Sequence, residues 1–341
     1  MRAFLFSGQG SQSVGMGAAL ADASRTARDT FDAVDEALGQ NLARLMRDGP
    51  EDELKLTENA QPAIMAHALA VFRVLTVDCG VDLGKAARVA AGHSLGEYSA
   101  LCAAGAFGLA TTATLLRTRG LAMQAAVPVG EGAMAALLGT DIAMARRIAE
   151  AAAEGEVCEV ANDNDPSQVV ISGSFAAIMR AIDLAKGMGA KRAIQLPVSA
   201  PFHCSLMQPA ADAMEAALGK TDIARPAVPI YANVTAAPES DPDHIRANLV
   251  TQVTGMVRWR ETIAAMAEAG IEKYVELGGK VLGPMVKRIA PDAKVTSVVG
   301  IEEFVEVGGK VLGPMVKRIA PDARVTSIVT IDEIEALAKS L

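Results

Sequence analysis

Residues 2–6 and 88–91 are short apolar runs, and each breaks into a glycine-rich turn followed by helical periodicity. A buried strand that runs through a tight turn into a helix, repeated along a chain, builds a parallel sheet covered by helices. The first turn is Gly8-Gln-Gly-Ser-Gln12 and the second is Gly92-His-Ser-Leu-Gly96. Asn59-Ala-Gln-Pro62 predicts a helix start with proline near the first turn, opening an apolar helix to about Leu75. A helix follows the second turn through Ala104, closed by Gly105, and another covers about Ala110 to Ala126. The chain therefore reads as α/β.

From about Val127 the rhythm changes. Ala133–Leu138 reads as a strand, Asp141–Ala153 as a helix and Val157–Ala161 as a strand. Asn162-Asp-Asn-Asp-Pro166 reads as a turn, Gln168–Ser172 as a strand, Phe175–Met188 as a helix and Lys191–Val198 as a strand. The order β-α-β-β-α-β is that of a ferredoxin-like unit, so 127–198 is expected to be an insert between 1–126 and 199–341. After it come a helix from about His203, a strand at Val228–Val234, and helices near 243–252 and 259–269. Residues 271–300 and 301–330 then align without gaps and differ at six positions, each reading strand, glycine turn, helix, strand. Two copies are too few for a solenoid, and a tandem duplication accounts for them better.

Composition narrows the chemistry. With 51% hydrophobic and 21% charged residues in 341, a sizeable core is expected and global disorder is not. A net charge of -8 excludes nucleic acid as the main partner and leaves any anionic substrate to local Lys/Arg clusters. The four cysteines (Cys79, Cys102, Cys158, Cys204) are scattered, with no metal spacing; reduced thiols in a cytoplasmic protein are the expectation, with no metal. The N-terminal apolar run is too short for a signal peptide, and no stretch approaches a membrane span.

Gly92-His-Ser-Leu-Gly96 fits G-x-S-x-G, the sharp turn that lifts a serine hydroxyl above a sheet. Its glycines permit the strained backbone, and the following helix aims free N–H groups at a developing oxyanion. Ser94 is the candidate nucleophile. Of the four histidines, His67 lies mid-helix among apolar residues, His93 neighbours Ser94 and points away from it, and His244 sits at an acidic helix start. That leaves His203, in the loop Ser199-Ala-Pro-Phe-His203, as candidate base. Arg119 shares a helical stripe with Leu115, Leu116 and Met123, whereas Arg117 faces elsewhere. A guanidinium there forms either a structural salt bridge or a fixed grip on a substrate carboxylate. The opening glycine loop is not a dinucleotide fingerprint, because Ser13 stands at its third glycine position.

Together these motifs resemble the malonyl-CoA:acyl carrier protein transacylase family, the acyltransferases of type II fatty acid synthesis. The resemblance runs from residue 3 to about 300. It is carried by Phe6-Ser-Gly-Gln-Gly-Ser-Gln12, Gly92-His-Ser-Leu-Gly-Glu-Tyr-Ser99, Arg119-Gly120, Met134-Ala135, Pro197-Val-Ser-Ala-Pro-Phe-His203, and Gln252 ahead of Val257-Arg-Trp259. It implies an α/β-hydrolase-like large domain with a parallel sheet and an inserted ferredoxin-like small domain. It further implies Ser94 as the acylated nucleophile, His203 as base, and Gln9 and Leu95 as backbone donors of the oxyanion hole. Arg119 would hold the malonate carboxylate, and the main-chain carbonyl of Gln252 would orient His203. The expected partners are malonyl-CoA and acyl carrier protein, with no cofactor, no membrane, and a cytoplasmic monomer. Lys191-Arg192 and the Lys-Arg pairs at 287–288 and 317–318 are candidate docking charges for an acidic carrier. Three departures stand out: Ser7 replaces the family's proline, the Gly-Gly-Lys turn is one residue short, and the duplication adds thirty residues. A carboxylesterase or thioesterase would share the serine elbow, and a non-catalytic carrier-binding module would share the surface.

Overall fold

The computed structural model describes residues 1–300, which form two β-sheets flanked by helices. The strands are β1 Arg2–Phe6, β2 Val89–Gly92, β3 Gly132–Leu138, β4 Cys158–Asp165, β5 Gln168–Ser174, β6 Arg192–Gln195, β7 Ile230–Tyr231, β8 Pro238–Glu239, β9 Lys273–Leu277 and β10 Lys294–Val298. The larger sheet has the order β10-β9-β1-β2-β7-β8 and is parallel except for β8, an antiparallel edge. Its central strands are buried, β1 from Ala3 onward and β2 throughout, as expected where helices cover both faces. The smaller sheet is antiparallel, ordered β4-β5-β3-β6, with the helices Ile142–Ala153 and Phe175–Gly187 joining its strands. The architecture is thus mixed α/β, with a largely parallel sheet and a separate antiparallel one.

Several elements differ from the sequence reading. The first long helix begins at Thr57, not Asn59, and runs to Arg73, with a π-helical turn over Val74–Asp78. Pro62 therefore lies inside it and deprives the Glu58 carbonyl of its helical donor. Arg117 Nη1 donates to that carbonyl at 3.0 Å, which restores the bond from the neighbouring helix Leu109–Ala126. Residues Thr57–Asp78 do reach the length and apolarity of a membrane span, yet 83% of that apolar window is buried inside the protein. The sequence reading also passed over four helices between Ala18 and Lys55 and extended β7 well beyond its two residues.

The expected turn at Asn162–Pro166 is instead strand through Asp165, because Asp163, Asn164 and Asp165 each have a side-chain partner outside the small sheet. Asp163, fully buried, takes an ion pair from Arg260 at 2.7 Å, and Asp165, also fully buried, accepts from Arg288 Nε at 2.7 Å. Asn164 Oδ1 meets His93 Nε2 at 2.9 Å. The Asp163 N–H donates to the Val257 carbonyl, and the Val257 N–H to the Ala161 carbonyl, both at 2.9 Å. Buried polar groups with partners persist as strand, and their hydrophilicity does not mark a turn.

The first repeat copy is built into the large sheet as β9, the helix Leu282–Ile289 and β10. Fully buried Glu276 accepts from the backbone N–H of Val281, Leu282 and Gly283 at 2.7–2.9 Å, from Ser297 Oγ at 2.9 Å and from Ser7 Oγ at 2.8 Å. Its carboxylate thus caps that helix and ties it to the loop after β1. Ser7 is a buried donor in this network, not merely a softer turn residue in place of proline. The second copy, 301–330, lies outside the described residues. Since 271–300 already supplies the sheet edge, deleting 301–330 as a block should preserve activity and thermal midpoint. An insoluble or folded but inactive deletion variant would show that both copies are required.

Candidate active site

Ser94 sits two residues after β2 with a φ of 53°, and His203 has a φ of 59°. For residues bearing a Cβ this left-handed conformation costs about 1–3 kcal/mol and persists only where the surroundings enforce it. The elbow's glycines are required by space: a Cβ on Gly92 would lie 1.9 Å from the Gly96 backbone, and one on Gly96 would lie 2.2 Å from the Phe6 carbonyl. A Cβ on Gly8 would meet the His93 carbonyl at 2.6 Å, so the glycine loop after β1 presses directly on the elbow. Gln9, half-buried, is on that loop, and Leu95, buried, follows Ser94.

His203 is 4% exposed, and its Nε2 lies 2.8 Å from Ser94 Oγ. Its Nδ1 is 2.9 Å from the Gln252 carbonyl and 3.2 Å from the Gly255 carbonyl. Two carbonyl acceptors require Nδ1 to carry the proton, which leaves Nε2 bare to receive the serine hydroxyl's. Burial, and then the nearby Arg119 cation, push the His203 pKa down to about 3 against the opposing pull of those carbonyls. The imidazole is therefore neutral at rest.

Arg119 is 1% exposed on the helix Leu109–Ala126. Nη1 donates to Gln61 Oε1 at 2.9 Å, while Nη2 donates to Gln252 Oε1 at 2.8 Å and to Ser94 Oγ at 3.2 Å. Its guanidinium also lies 5.8 Å from the Tyr98 ring centroid. The geometry is not that of a direct salt bridge: side-chain amides hold the cation beside the serine. Ser94 Oγ is thus flanked by an acceptor on one side and a cation on the other, an arrangement that can deprotonate a hydroxyl and receive a negatively charged substrate.

The remaining histidines are elsewhere engaged. His93 turns away from Ser94 to Asn164 and packs on Trp259 at 5.5 Å between ring centroids. His67 Nε2 is 2.9 Å from the Val299 carbonyl, and exposed His244 meets Glu239 at 3.2 Å. Arg288 is committed to Asp165 and is not a free docking charge. Lys191 and Arg192 are exposed, and the pair at 317–318 lies outside the described residues. Among the described residues no cluster of His, Cys, Asp and Glu could hold a metal, and all four cysteines are free.

Sequence reasoning missed a buried support under the elbow. Asn233, fully buried, accepts from the Ser94 N–H at 2.7 Å and donates to the Gly92 carbonyl at 2.8 Å. Glu97 Oε2 accepts from the Asn233 N–H at 3.0 Å and from Gln252 Nε2 at 2.7 Å, and that amide also donates to the Ser94 carbonyl at 3.0 Å. Glu97 was visible in the elbow motif, but a glutamate in a helix's first turn ordinarily answers only the dipole. Asn233 gave no signal.

The Acyl transferase domain family matches residues 3–282. The chain belongs to this family. Among members of known name, the malonyl CoA-acyl carrier protein transacylase of Escherichia coli (strain K12) is 45% identical over 288 residues, covering 84% of this chain and 92% of that protein. The Bacillus subtilis (strain 168) protein of the same name is 42% identical over 298 residues, 87% of this chain and 92% of that one. The acyl-carrier-protein-S-malonyltransferase structure from Bartonella henselae superposes with a TM-score of 0.88 at 51% identity, covering 92% of this chain and 99% of that chain. A malonyl-transacylase solved in complex with its type II polyketide acyl-carrier protein gives a TM-score of 0.87 at 40% identity, covering 90% and 98%.

Proposed function

We propose that this acyltransferase moves the malonyl group of malonyl-CoA to the phosphopantetheine thiol of acyl carrier protein, through a malonyl ester on Ser94, in fatty acid biosynthesis. The observation that carries this reading is Ser94 Oγ standing 2.8 Å from His203 Nε2 and 3.2 Å from Arg119 Nη2. His203 takes the hydroxyl proton as Oγ attacks the thioester carbonyl, and returns it to the departing coenzyme A thiolate. The oxyanion formed in between is met by the backbone N–H groups of Gln9 and Leu95. Arg119 pairs with the malonyl carboxylate through its charged guanidinium. The carrier thiol then attacks the ester by the reverse path, with His203 accepting its proton.

The Gln252 carbonyl plays the part that a carboxylate has in a triad. It fixes the tautomer without adding charge, so the site works as a dyad. No cofactor enters these steps. We read residues 127–198 as a ferredoxin-like insert in an α/β-hydrolase-like domain of 1–126 and 199–341, and the chain as a cytoplasmic monomer.

A hydrolase with the same elbow would deliver the acyl group to water. Incubated with malonyl-CoA and holo-acyl carrier protein, the enzyme should form malonyl-carrier protein far faster than free malonate. Equal rates of the two products would favour a thioesterase instead.

A further inference from the structure

Glu97 and Arg119 are two buried opposite charges, 3% and 1% exposed, joined through one fully buried amide. Gln252 Oε1 accepts from Arg119 Nη2 at 2.8 Å, and Gln252 Nε2 donates to Glu97 Oε2 at 2.7 Å. A cation sunk this deep requires a compensating anion. A malonyl carboxylate on Arg119 would add a second anion to a site already neutral as a pair. We propose that Glu97 is the counter-ion of Arg119 and yields that role, by taking a proton from solvent, when the malonyl carboxylate arrives. The inference rests on the reading of Arg119 as the malonate ligand.

The surroundings fit a single titrating group. The helix Gly96–Ala103 that carries Glu97 packs against β1, β2, β7 and the helices Thr57–Arg73 and Leu109–Ala126. Of the titratable groups there, Arg119 and Tyr98 act on Glu97 electrostatically, while Tyr231, His67, His93 and His203 belong to the same elements or to the loops beside them. Burial keeps the Tyr98 and Tyr231 hydroxyls protonated well above neutrality, and holds His93 and His203 below the ordinary imidazole range. His67 is engaged at the Val299 carbonyl. Burial raises the Glu97 pKa to about 7, against hydrogen bonds from Asn233 and Gln252 and the Arg119 charge. A further anion nearby would raise it more, so malonyl binding draws in a proton and is favoured towards acid.

The net reaction is Ser94 hydroxyl, malonyl-CoA, the Glu97 carboxylate and one proton giving the malonyl ester, coenzyme A thiol and a protonated Glu97. The same reaction with acetyl-CoA takes up no proton at Glu97. The test is the equilibrium ratio of malonyl- to acetyl-enzyme at matched coenzyme A levels, read by intact-mass spectrometry from pH 9 to 6. The coenzyme A thiol and the ester chemistry cancel in that ratio. In the wild type it should rise about tenfold towards acid, the factor given by a pKa displaced by one unit. Glu97→Gln keeps an oxygen to accept from Asn233 and Gln252 but carries no charge. Its ratio should be flat and as high as the acidic wild-type value. A flat wild-type profile, or an unchanged slope in Glu97→Gln, overturns the proposal, and the wild-type profile decides alone if the variant does not fold. Arg119→Ala distinguishes the premise: if it leaves the ratio unchanged, the carboxylate is not on Arg119. If it lowers the ratio while the wild-type profile is flat, only the counter-ion role of Glu97 fails.

Discussion

Mixed with malonyl-CoA, the protein should gain one malonyl mass on Ser94, and Ser94→Ala should gain none while keeping its fold. The reason is the convergence at Oγ of a bare imidazole nitrogen at 2.8 Å and a guanidinium at 3.2 Å. His203→Ala should still acylate, but slower by roughly 10²–10⁴-fold, the usual contribution of a positioned base. Circular dichroism and the thermal midpoint separate loss of chemistry from loss of fold. A full malonyl adduct on the alanine variant would mean that another nucleophile carries the acyl group.

Arg119→Ala should separate malonyl from acetyl transfer. Malonyl differs from acetyl by a carboxylate, which is costly to bury unless a cation meets it. Truncating one partner of such a buried pair costs about 2–5 kcal/mol, roughly thirty- to several-thousandfold in rate. Acetyl transfer should hold or rise, because acetyl has no carboxylate to lose a partner, and the cation, after burial, is one of the causes that hold the His203 pKa down. Arg119→Lys should rescue malonyl transfer only in part. An ammonium directs its donors from one nitrogen, so it cannot reach Gln61 and Gln252 from two separate nitrogens and still grip a carboxylate with a planar fork as the guanidinium does. Equal losses for both acyl groups would make Arg119 structural.

Much of this was legible in local pattern, and what was not has a common cause. The strand entering Gly92-His-Ser-Leu-Gly96 could be read because an elbow has strict steric demands on successive residues, and the apolar stripe around Arg119 could be read because a helix repeats. The strand through Asp165 could not, since its side chains are explained by Arg260, Arg288 and His93, which are remote in sequence. The amides that hold Arg119 failed to show for the same reason. Gln61 lies 58 residues away and Gln252 lies 133 away, and nothing in either neighbourhood marks a glutamine as buried. Ser7 looked like a lost proline until Glu276, brought beside it by β9, gave the hydroxyl an acceptor. Periodicity reports which face of an element is buried, and is silent on polar partners that meet only in three dimensions.

The strand β4 has a practical consequence for chimeras between acyltransferases. Its polar end is fastened to the large sheet's surroundings by Arg260, Arg288, the Val257 backbone and the elbow's own His93. A graft of residues 127–198 alone would carry Asp163, Asn164 and Asp165 into a host that must already present those four partners. Where it does not, two carboxylates are buried without their cations, and the mismatch lands one residue from the nucleophile. Moving this unit between acyltransferases therefore means moving Val257 to Arg260 and Arg288 along with it, as one discontinuous cassette.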